Sequence, residues 1–208
     1  MSGFPSPFGS NDKDPFDSYD EFVPEHIPEA GRFLEDHDLL AGPGHVAFHR
    51  LTRDLFEERT VYDMTFNYNL ARLNLDTRHG DAGYRYAAER SGAADAIGVE
   101  EIDRVLRAEF TPTTPFCPQT HTLTIGSFRA WNGLSDSHEY DLVRVRAAPT
   151  HHQSDAINDR LDDLERTYAE TGDVAAAPDG LEAGTPPAPT GQTIRQEGSS
   201  GGSKDAPF

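Results

Sequence analysis

The chain has 208 residues, of which 36 are acidic and 18 are basic, so its formal net charge is −18 at pH 7. This charge argues against a general basic surface for nucleic acid or for an anionic membrane. The single cysteine excludes an intramolecular disulfide framework and any metal site that takes several thiolates from one chain.

Only two of the basic residues are lysines, Lys13 and Lys204, and both lie near the termini. This acidic, lysine-poor composition resembles that of cytoplasmic proteins from salt-accumulating archaea, where a Debye length of ~3 Å screens repulsion between carboxylates. No charged segment is followed by an apolar one at the N-terminus, and no apolar run approaches ~18 residues. We therefore predict a soluble, cytoplasmic protein without a nucleic-acid or membrane partner.

Composition divides the chain into three parts. Residues 1–42 mix phenylalanine, proline and acid without a sustained period, which predicts a mostly disordered arm. Residues 45–172 contain the stretch able to form a folded core. Residues 174–208 are rich in Ala, Pro, Gly, Ser and Thr and cannot bury enough apolar surface to become ordered.

The arm has two interpretations. In the first it is a solvated tail from which a few residues pack back on the domain, namely Phe33, Leu34, Leu39 and Leu40. In the second it is a short linear motif that docks a partner through its phenylalanines, of which Phe4, Phe8 and Phe16 are the candidates.

The first half of the folded part is predicted to contain two elements. Residues 45–59 place Phe48, Leu51 and Leu55 at helical spacing, which indicates a short amphipathic helix. Residues 65–76 alternate apolar and polar side chains with a one-residue slip. That pattern predicts a strand with a bulge, or two short strands.

A pair of helices is predicted next. Residues 83–96 are rich in alanine and permit a helix, and residues 99–107 repeat apolar side chains at helical spacing. The interruption is expected near Gly98, where glycine disfavours a helix interior.

The last part of the domain is predicted to be a strand followed by a helix. Residues 138–148 alternate until Pro149, which ends the strand. Residues 151–171 repeat apolar side chains at helical spacing after the capping-box pair Thr150 and Gln153. The opposite side of this helix is predicted to be a solvated acidic face, made of Asp159, Asp162, Asp163 and Glu165. The mixture of elements favours a small α+β domain, with one sheet and helices packed on one of its faces.

Cys117 lies in a proline-rich loop between two apolar segments. Two prolines precede it, and Pro118 suits the first position of a helix, so Cys117 is predicted to be an N-cap. Free amides and the helix dipole would then stabilise a thiolate that ligates a metal or attacks an electrophile. The alternative is a small buried hydrophobe, which is what most free cysteines are.

The segment from Phe110 to Pro118, Phe-Thr-Pro-Thr-Thr-Pro-Phe-Cys-Pro, resembles the Thr-Pro-Thr-x-Pro-x-Cys segment of iron–sulfur cluster assembly proteins of the SufT and PaaD type. The similarity resumes in residues 143–148, in Pro149 and His151, and in the helix that contains residues 157–166. It covers about residues 105–170. In that family a strand pair precedes the cysteine loop, whereas residues 83–107 have a helical pattern in this chain.

The resemblance implies a compact α+β domain whose reactive Cys117 helps to mature or deliver iron–sulfur clusters, without enzymatic activity. It implies partners among other assembly proteins or client apoproteins. Within the loop, Cys117 is the functional residue, and the residues that shape it are Thr111, Thr113, Pro115 and Pro118. Because several thiolates normally hold a cluster, a bound cluster would be transient and shared across a homodimer, or completed by histidine or a small thiol.

Histidines offer a second interpretation of the site. Cys117 and His121 are four residues apart and would share a face on a helix, while the pair His151 and His152 starts the next helix. One thiolate and two or three imidazoles suit a single Zn²⁺ or iron ion, although the ring of His151 could instead bond to backbone.

Two further alternatives complete the predictions. The cysteine could be inert in a structural or protein-binding module of the same fold. A thiol hydrolase would need an orienting residue and an oxyanion hole, and neither is evident in the sequence. Four residues that could form a binding face are interpreted instead as packing and salt-bridge residues, namely Arg129, Trp131, Arg144 and Arg146.

Overall fold

The structure, a computed structural model, describes Phe16 and residues 26–90 and 102–175. These residues belong to the unit Met1–Pro178. The rest of the predicted arm, the tail beyond residue 175 and the region around Gly98 lie outside the described residues. None of the helices in the described ranges is both long and apolar enough to cross a membrane.

The described elements mix helices and strands without a regular alternation, which confirms the α+β class. In chain order they are β1 (Asp38–Leu39), α1 (Gly42–Glu58), β2 (Tyr62–Asp63), β3 (Tyr68–Asn69), a 3-10 helix (Leu70–Leu75), β4 (Gly83–Ala88), β5 (Val105–Thr111), α2 (Thr120–Asn132), a 3-10 turn (Ser135–Ser137), β6 (Leu142–Ala147) and α3 (Ser154–Thr171).

The main sheet has the strand order β1-β4-β5-β6. Strands β4 and β5 are antiparallel, and β5 and β6 are parallel, with α2 in the crossover between them. Strands β2 and β3 form a separate two-stranded sheet, so the expectation of a single sheet is too simple. The cysteine loop lies at the carboxyl end of β5, where it leads into α2.

The predicted helix pair over residues 83–107 is wrong for the residues described, because β4 and β5 occupy both of its ends. Tyr84 and Tyr86 are fully buried on one face of β4, opposite Phe110 and Ala108 of β5. Tyrosine packs well on a pleated surface, and this tertiary burial outweighs the helical preference of the neighbouring alanines. The strands stand where the family resemblance implies a strand pair.

The predicted strand over residues 65–76 is confirmed only at Tyr68–Asn69, and the chain then forms a 3-10 helix. The side chain of Asn69 caps this helix by accepting a hydrogen bond from the Ala71 amide. Leu70 and Leu73, three residues apart, are both buried. The one-residue shift in the apolar pattern of residues 65–76 therefore marks a turn of 3-10 helix and not a β-bulge.

The predictions of α1, β6 and α3 are confirmed, with small changes at their ends. In α3, Ile157, Leu161 and Leu164 are buried as their spacing requires. The predicted capping box is wrong, because Gln153 is the N-cap residue and makes no side-chain cap bond.

Trp131 lies in the centre of the core, fully buried between α1 and the sheet. Its ring centroid lies 4.9 Å from that of Phe56 and 5.1 Å from that of Tyr84. The indole Nε1 donates to the hydroxyl of Thr52 over 3.3 Å. The prediction that Trp131 is a packing residue is confirmed.

The face of the sheet that points away from α1 and α2 carries a network of buried charges. Arg144 contacts Glu89 and Glu165, each at 3.1 Å, and Arg146 contacts both Glu165 and Asp162. The predicted salt-bridge role of the two arginines is confirmed. Glu165, however, is only 5% exposed, so the prediction of a solvated acidic face is wrong at this residue, because α3 turns it toward β6.

The arm packs back on this charged face through Phe33 and Leu34. Leu34 is fully buried, and the ring of Phe33 lies 4.8 Å from the guanidinium of Arg107. The Gly31 amide donates to the Glu109 carboxylate over 2.7 Å. A Cβ atom at Gly31 would lie 2.5 Å from Glu109 Oε1, so any other residue at this position would displace the carboxylate end of Glu109.

Candidate functional site

Cys117 is half-buried in the loop that joins β5 to α2. Its amide donates to the Thr114 carbonyl over 3.3 Å, and its carbonyl accepts from the Thr120 amide over 3.4 Å. Helix α2 begins at Thr120 with Gln119 as its N-cap. The prediction that Pro118 begins the helix and Cys117 caps it is therefore wrong, because a second turn comes between Cys117 and the helix.

His151 fixes the backbone of Cys117 from the turn between β6 and α3. The side chain is 2% exposed, and its Nε2 lies 3.1 Å from the Cys117 carbonyl oxygen. Its Nδ1 accepts from the Gln153 amide over 3.3 Å. These partners place the ring proton on Nε2, so both nitrogens of His151 are engaged with backbone groups.

His152 fixes the same loop two residues earlier. Its amide donates to the Pro115 carbonyl over 3.0 Å, and its ring Nδ1 donates to the same oxygen over 2.8 Å. The ring also packs against Phe116 with 5.0 Å between centroids. The sequence offered His152, as the neighbour of His151, only as a further candidate imidazole ligand, and no feature of the sequence predicted its contact with Pro115.

Gln119 joins the loop to the turn between β2 and β3. Its Oε1 accepts from the Met64 amide over 3.0 Å, and its Nε2 donates to the Thr65 hydroxyl over 2.6 Å. No feature of the sequence predicted this contact, because 54 residues separate Thr65 from Gln119. Three side chains thus hold the cysteine loop at Pro115, Cys117 and Gln119.

His121 does not share a helical face with Cys117, because the cysteine precedes the helix that contains His121. The His121 side chain is exposed in the first turn of α2. Among residues 26–90 and 102–175, no group of three or more His, Cys, Asp or Glu side chains is arranged to hold a metal ion. The predicted set Cys117, His121 and His151 is thus not brought together as a ligand cluster.

A cleft of about 310 Å³ opens beside the loop. Its lining includes Thr111, Thr113 and Pro115 from the loop, together with Arg78. Arg78 bonds to Asp76 through its Nη2 over 2.7 Å. Burial would raise the pKa of the Asp76 carboxyl, but the hydrogen bonds from Arg78 outweigh burial and lower it.

Two large apolar side chains are exposed in the cysteine loop and in the turn that Gln119 joins to it. Phe116, which precedes Cys117, is 71% exposed, and Met64, whose amide donates to Gln119, is 76% exposed.

A search of curated proteins and a search of solved structures found no match to this chain. A scan against protein families matched residues 14–175 to the family described as "Domain of unknown function (DUF7998)". The match starts in the arm, upstream of Phe16, and ends after α3. Because it covers more than half of the sequence, the chain belongs to the DUF7998 family.

Proposed function

We propose that this protein is a non-enzymatic factor in iron–sulfur cluster assembly or delivery, and that Cys117 is the residue that meets the cluster. The observation that carries the proposal is the geometry of the loop. The imidazole of His151 holds the carbonyl of Cys117 itself, while the residue is only half-buried and its neighbour Phe116 is exposed.

The order of elements around the loop supports the proposal. The strand pair β4 and β5 leads into the Thr-Pro-rich loop, which is followed by α2, by β6, by the turn with His151 and by α3. This is the order that the resemblance to SufT and PaaD type proteins implies. His151, which the resemblance places in a turn, contacts the cysteine loop across 34 residues of sequence.

In this proposal the cluster is cargo and not a resident group. The chain has one cysteine, and clusters are ordinarily held by several thiolates. Both ring nitrogens of His151 bond to backbone groups, so this residue does not fit a ligand role in the arrangement described. The remaining ligands would come from a partner, which makes the protein an adaptor between a cluster donor and a client apoprotein.

The test uses the full-length chain purified without oxygen and incubated with ferrous iron, sulfide and a small thiol, which supplies the ligands that one cysteine per chain lacks. We expect iron and acid-labile sulfide to be retained by the wild-type chain and lost in Cys117→Ser. His121→Ala is the matched control, since this exposed imidazole is the other unengaged candidate ligand, and it should retain both elements. Equal iron and sulfide in Cys117→Ser and in the wild-type chain would reject the proposal.

A second candidate is a protein-binding module in which Cys117 is chemically inert. The exposure of Phe116 and Met64 favours it, because both residues would contribute to binding without any reaction at the thiol. The two candidates differ in one result. If the module is correct, Cys117→Ser leaves partner binding unchanged, and neither form contains iron or sulfide.

A further inference from the structure

Phe16 of the arm is seated against the domain at a site formed by four residues. The guanidinium carbon of Arg72 lies 4.0 Å from the centroid of the Phe16 ring, and that of Arg78 lies 5.7 Å from it. The ring of Tyr68 meets the Phe16 ring edge to face, with 5.3 Å between centroids. Asp76 pairs with Phe16 through an isolated antiparallel β-bridge. We name Tyr68, Arg72, Asp76 and Arg78 the Phe16 site.

The Phe16 site is held in shape by contacts that do not involve Phe16. Tyr68 is 8% exposed and stacks on Phe66 with 5.5 Å between ring centroids. Arg78 donates to the buried carboxylate of Asp76 through Nε over 2.8 Å and through Nη2 over 2.7 Å. Phe16 itself is half-buried and packs against the core from its edge. The site is therefore preorganised, and a ring can enter it without first reshaping it.

The chemistry of the site suits an aromatic ring in an acidic segment. A guanidinium within about 6 Å of a ring centroid is attracted by the π face of that ring. Asp76 offsets the charge of Arg78, whereas Arg72 forms no ion pair with any residue that the structure describes. In the arm, Asp14 and Asp17 flank Phe16. The positive charge of Arg72 thus complements the acidic sequence on both sides of the ring.

We propose that the Phe16 site is a docking site for a phenylalanine in an acidic segment, and that the arm of this chain fills it in cis. A partner that carries a segment of the same chemistry has to displace Phe16 before it binds. Because the arm and the site belong to one chain, the effective concentration of the arm is on the order of millimolar. The arm is therefore an autoinhibitory strap, which a weakly binding segment does not displace.

The Phe16 site adjoins the cleft beside the cysteine loop. Arg78, which faces Phe16, also lines that cleft together with Thr111, Thr113 and Pro115. A partner segment in the Phe16 site would thus contact a residue that lines the cleft. The inference does not depend on the cluster function, because it follows from the contacts and charges around Phe16.

The first experiment measures the binding of a peptide of residues 10–18, labelled with fluorescein, to the full-length chain by fluorescence anisotropy. Phe16 is the only aromatic residue in this peptide. We expect the peptide to bind the Phe16→Ala chain, whose own arm cannot fill the site, with a Kd of about 0.1 mM. It should bind the wild-type chain about tenfold more weakly, because the cis segment competes at about 1 mM.

Two substitutions in the Phe16→Ala chain locate the peptide. Arg72→Glu reverses the charge that faces the ring and should weaken binding by about tenfold or more. Arg166→Glu is the matched control, because it makes the same change of charge at an exposed position of α3, outside the site. It should leave the affinity unchanged. A peptide with leucine in place of phenylalanine lacks the π face and should bind about two- to fivefold more weakly.

Three results would overturn the proposal. They are equal affinity of the wild-type and Phe16→Ala chains for the peptide, binding that is the same when the peptide carries alanine in place of Phe16, and no binding to the Phe16→Ala chain at about 1 mM. If Phe16→Ala does not fold, Phe16→Leu takes its place, since leucine keeps an apolar cover over Tyr68. The peptide should then bind Phe16→Leu about two- to fivefold more tightly than the wild-type chain, and equal binding would again reject the strap.

Discussion

The ring of His151 lies 3.1 Å from the backbone carbonyl oxygen of Cys117, so a residue from the turn before α3 sets the conformation of the cysteine loop. The contact joins the two blocks of sequence that carry the family resemblance. The imidazole of His151 therefore has a structural role. A histidine that a sequence pattern suggests as a metal ligand instead holds the residue that presents the thiol.

Replacing His151 should therefore affect both stability and thiol access. His151→Ala removes a buried donor and leaves a cavity, and we expect a loss of about 1–3 kcal/mol in the free energy of unfolding. Cys117 should then react faster with a maleimide, because its loop is no longer held. Urea unfolding and alkylation rates measure the two effects. His121→Ala, at an exposed position, is the control, and an unchanged alkylation rate in His151→Ala would contradict the proposed role.

Two buried histidines in α1 predict that acid destabilises the fold. Burial is the main cause that lowers the pKa of His49 from 6.5 to about 4 and that of His45 to about 3. The unfolded chain takes up protons near pH 6.5 and the folded chain does not, so stability is complete above pH 6.5 and is lost as the pH falls toward 4. For His49 alone the loss is on the order of 3 kcal/mol.

The measurement is the free energy of unfolding between pH 7 and pH 4. His49→Gln cannot take up a proton and should flatten the pH dependence, even if it lowers stability at pH 7. His121→Gln replaces an exposed imidazole and should leave the pH dependence as it is. A slope that is identical in His49→Gln and the wild-type chain would refute this account.

The charged network between β6 and α3 predicts that replacing a single carboxylate strongly lowers the free energy of unfolding. Glu165 and Arg146 have side chains that are 6% and 7% exposed. Glu165→Ala removes the carboxylate that Arg144 and Arg146 share and leaves them only Glu89 and Asp162, which should cost up to about 3–5 kcal/mol of stability. Thermal or urea unfolding gives the value.

The same helix supplies a control for this prediction. Asp163 pairs with Arg166 across one helical turn, but their side chains are 41% and 66% exposed. Asp163→Ala should change stability by less than about 1 kcal/mol, because solvent screens an exposed pair. Equal effects of the two substitutions would show that burial does not determine the strength of the network.

The side chain of Asn158 bonds to both backbone groups of Ala147, as an adjacent strand would. Its Oδ1 accepts from the Ala147 amide over 2.8 Å, and its Nδ2 donates to the Ala147 carbonyl over 3.0 Å. Asn158→Ala leaves both groups of this edge strand unpaired and should cost about 1–3 kcal/mol. Asp159→Ala, at the adjacent exposed position, should be close to neutral. Hydrogen exchange at the Ala147 amide is the direct measurement, and unchanged protection in Asn158→Ala would count against the pairing.

Alanine substitutions at Gly31 and at Gly44 should change the stability of the chain in opposite directions. Gly31→Ala would place a methyl group 2.5 Å from the Glu109 carboxylate and should destabilise the chain by about 1–3 kcal/mol. Gly44 lies in α1 with open space around it, so Gly44→Ala should stabilise by about 0.5–1 kcal/mol. The melting temperature should fall in Gly31→Ala and rise in Gly44→Ala. A neutral Gly31→Ala would indicate that the arm does not need the bond to Glu109.

Some parts of the fold follow from the sequence alone because their signals are local. The spacing of Ile157, Leu161 and Leu164 predicts α3, since one helical turn brings these residues to one side whatever lies opposite. The alternation before Pro149 predicts β6 for a similar reason. The charge and the single cysteine also limit the function without reference to any fold.

Other parts depend on contacts between distant segments. Tyr84 and Tyr86 form a strand because α1, α2 and β5 bury them, and the alanines around them do not specify that outcome. The N-cap prediction at Cys117 is wrong for the same reason, because the loop takes its shape from residues distant in the sequence.

The sequence by itself determined that Cys117 is the unique thiol of an acidic α+β chain. Only the tertiary structure decided how that thiol is held. His151, His152 and Gln119 reach the loop or join it to another segment across 34 or more residues. Hydrogen bonds of this kind form when the chain has folded, and they leave no local periodicity in the sequence.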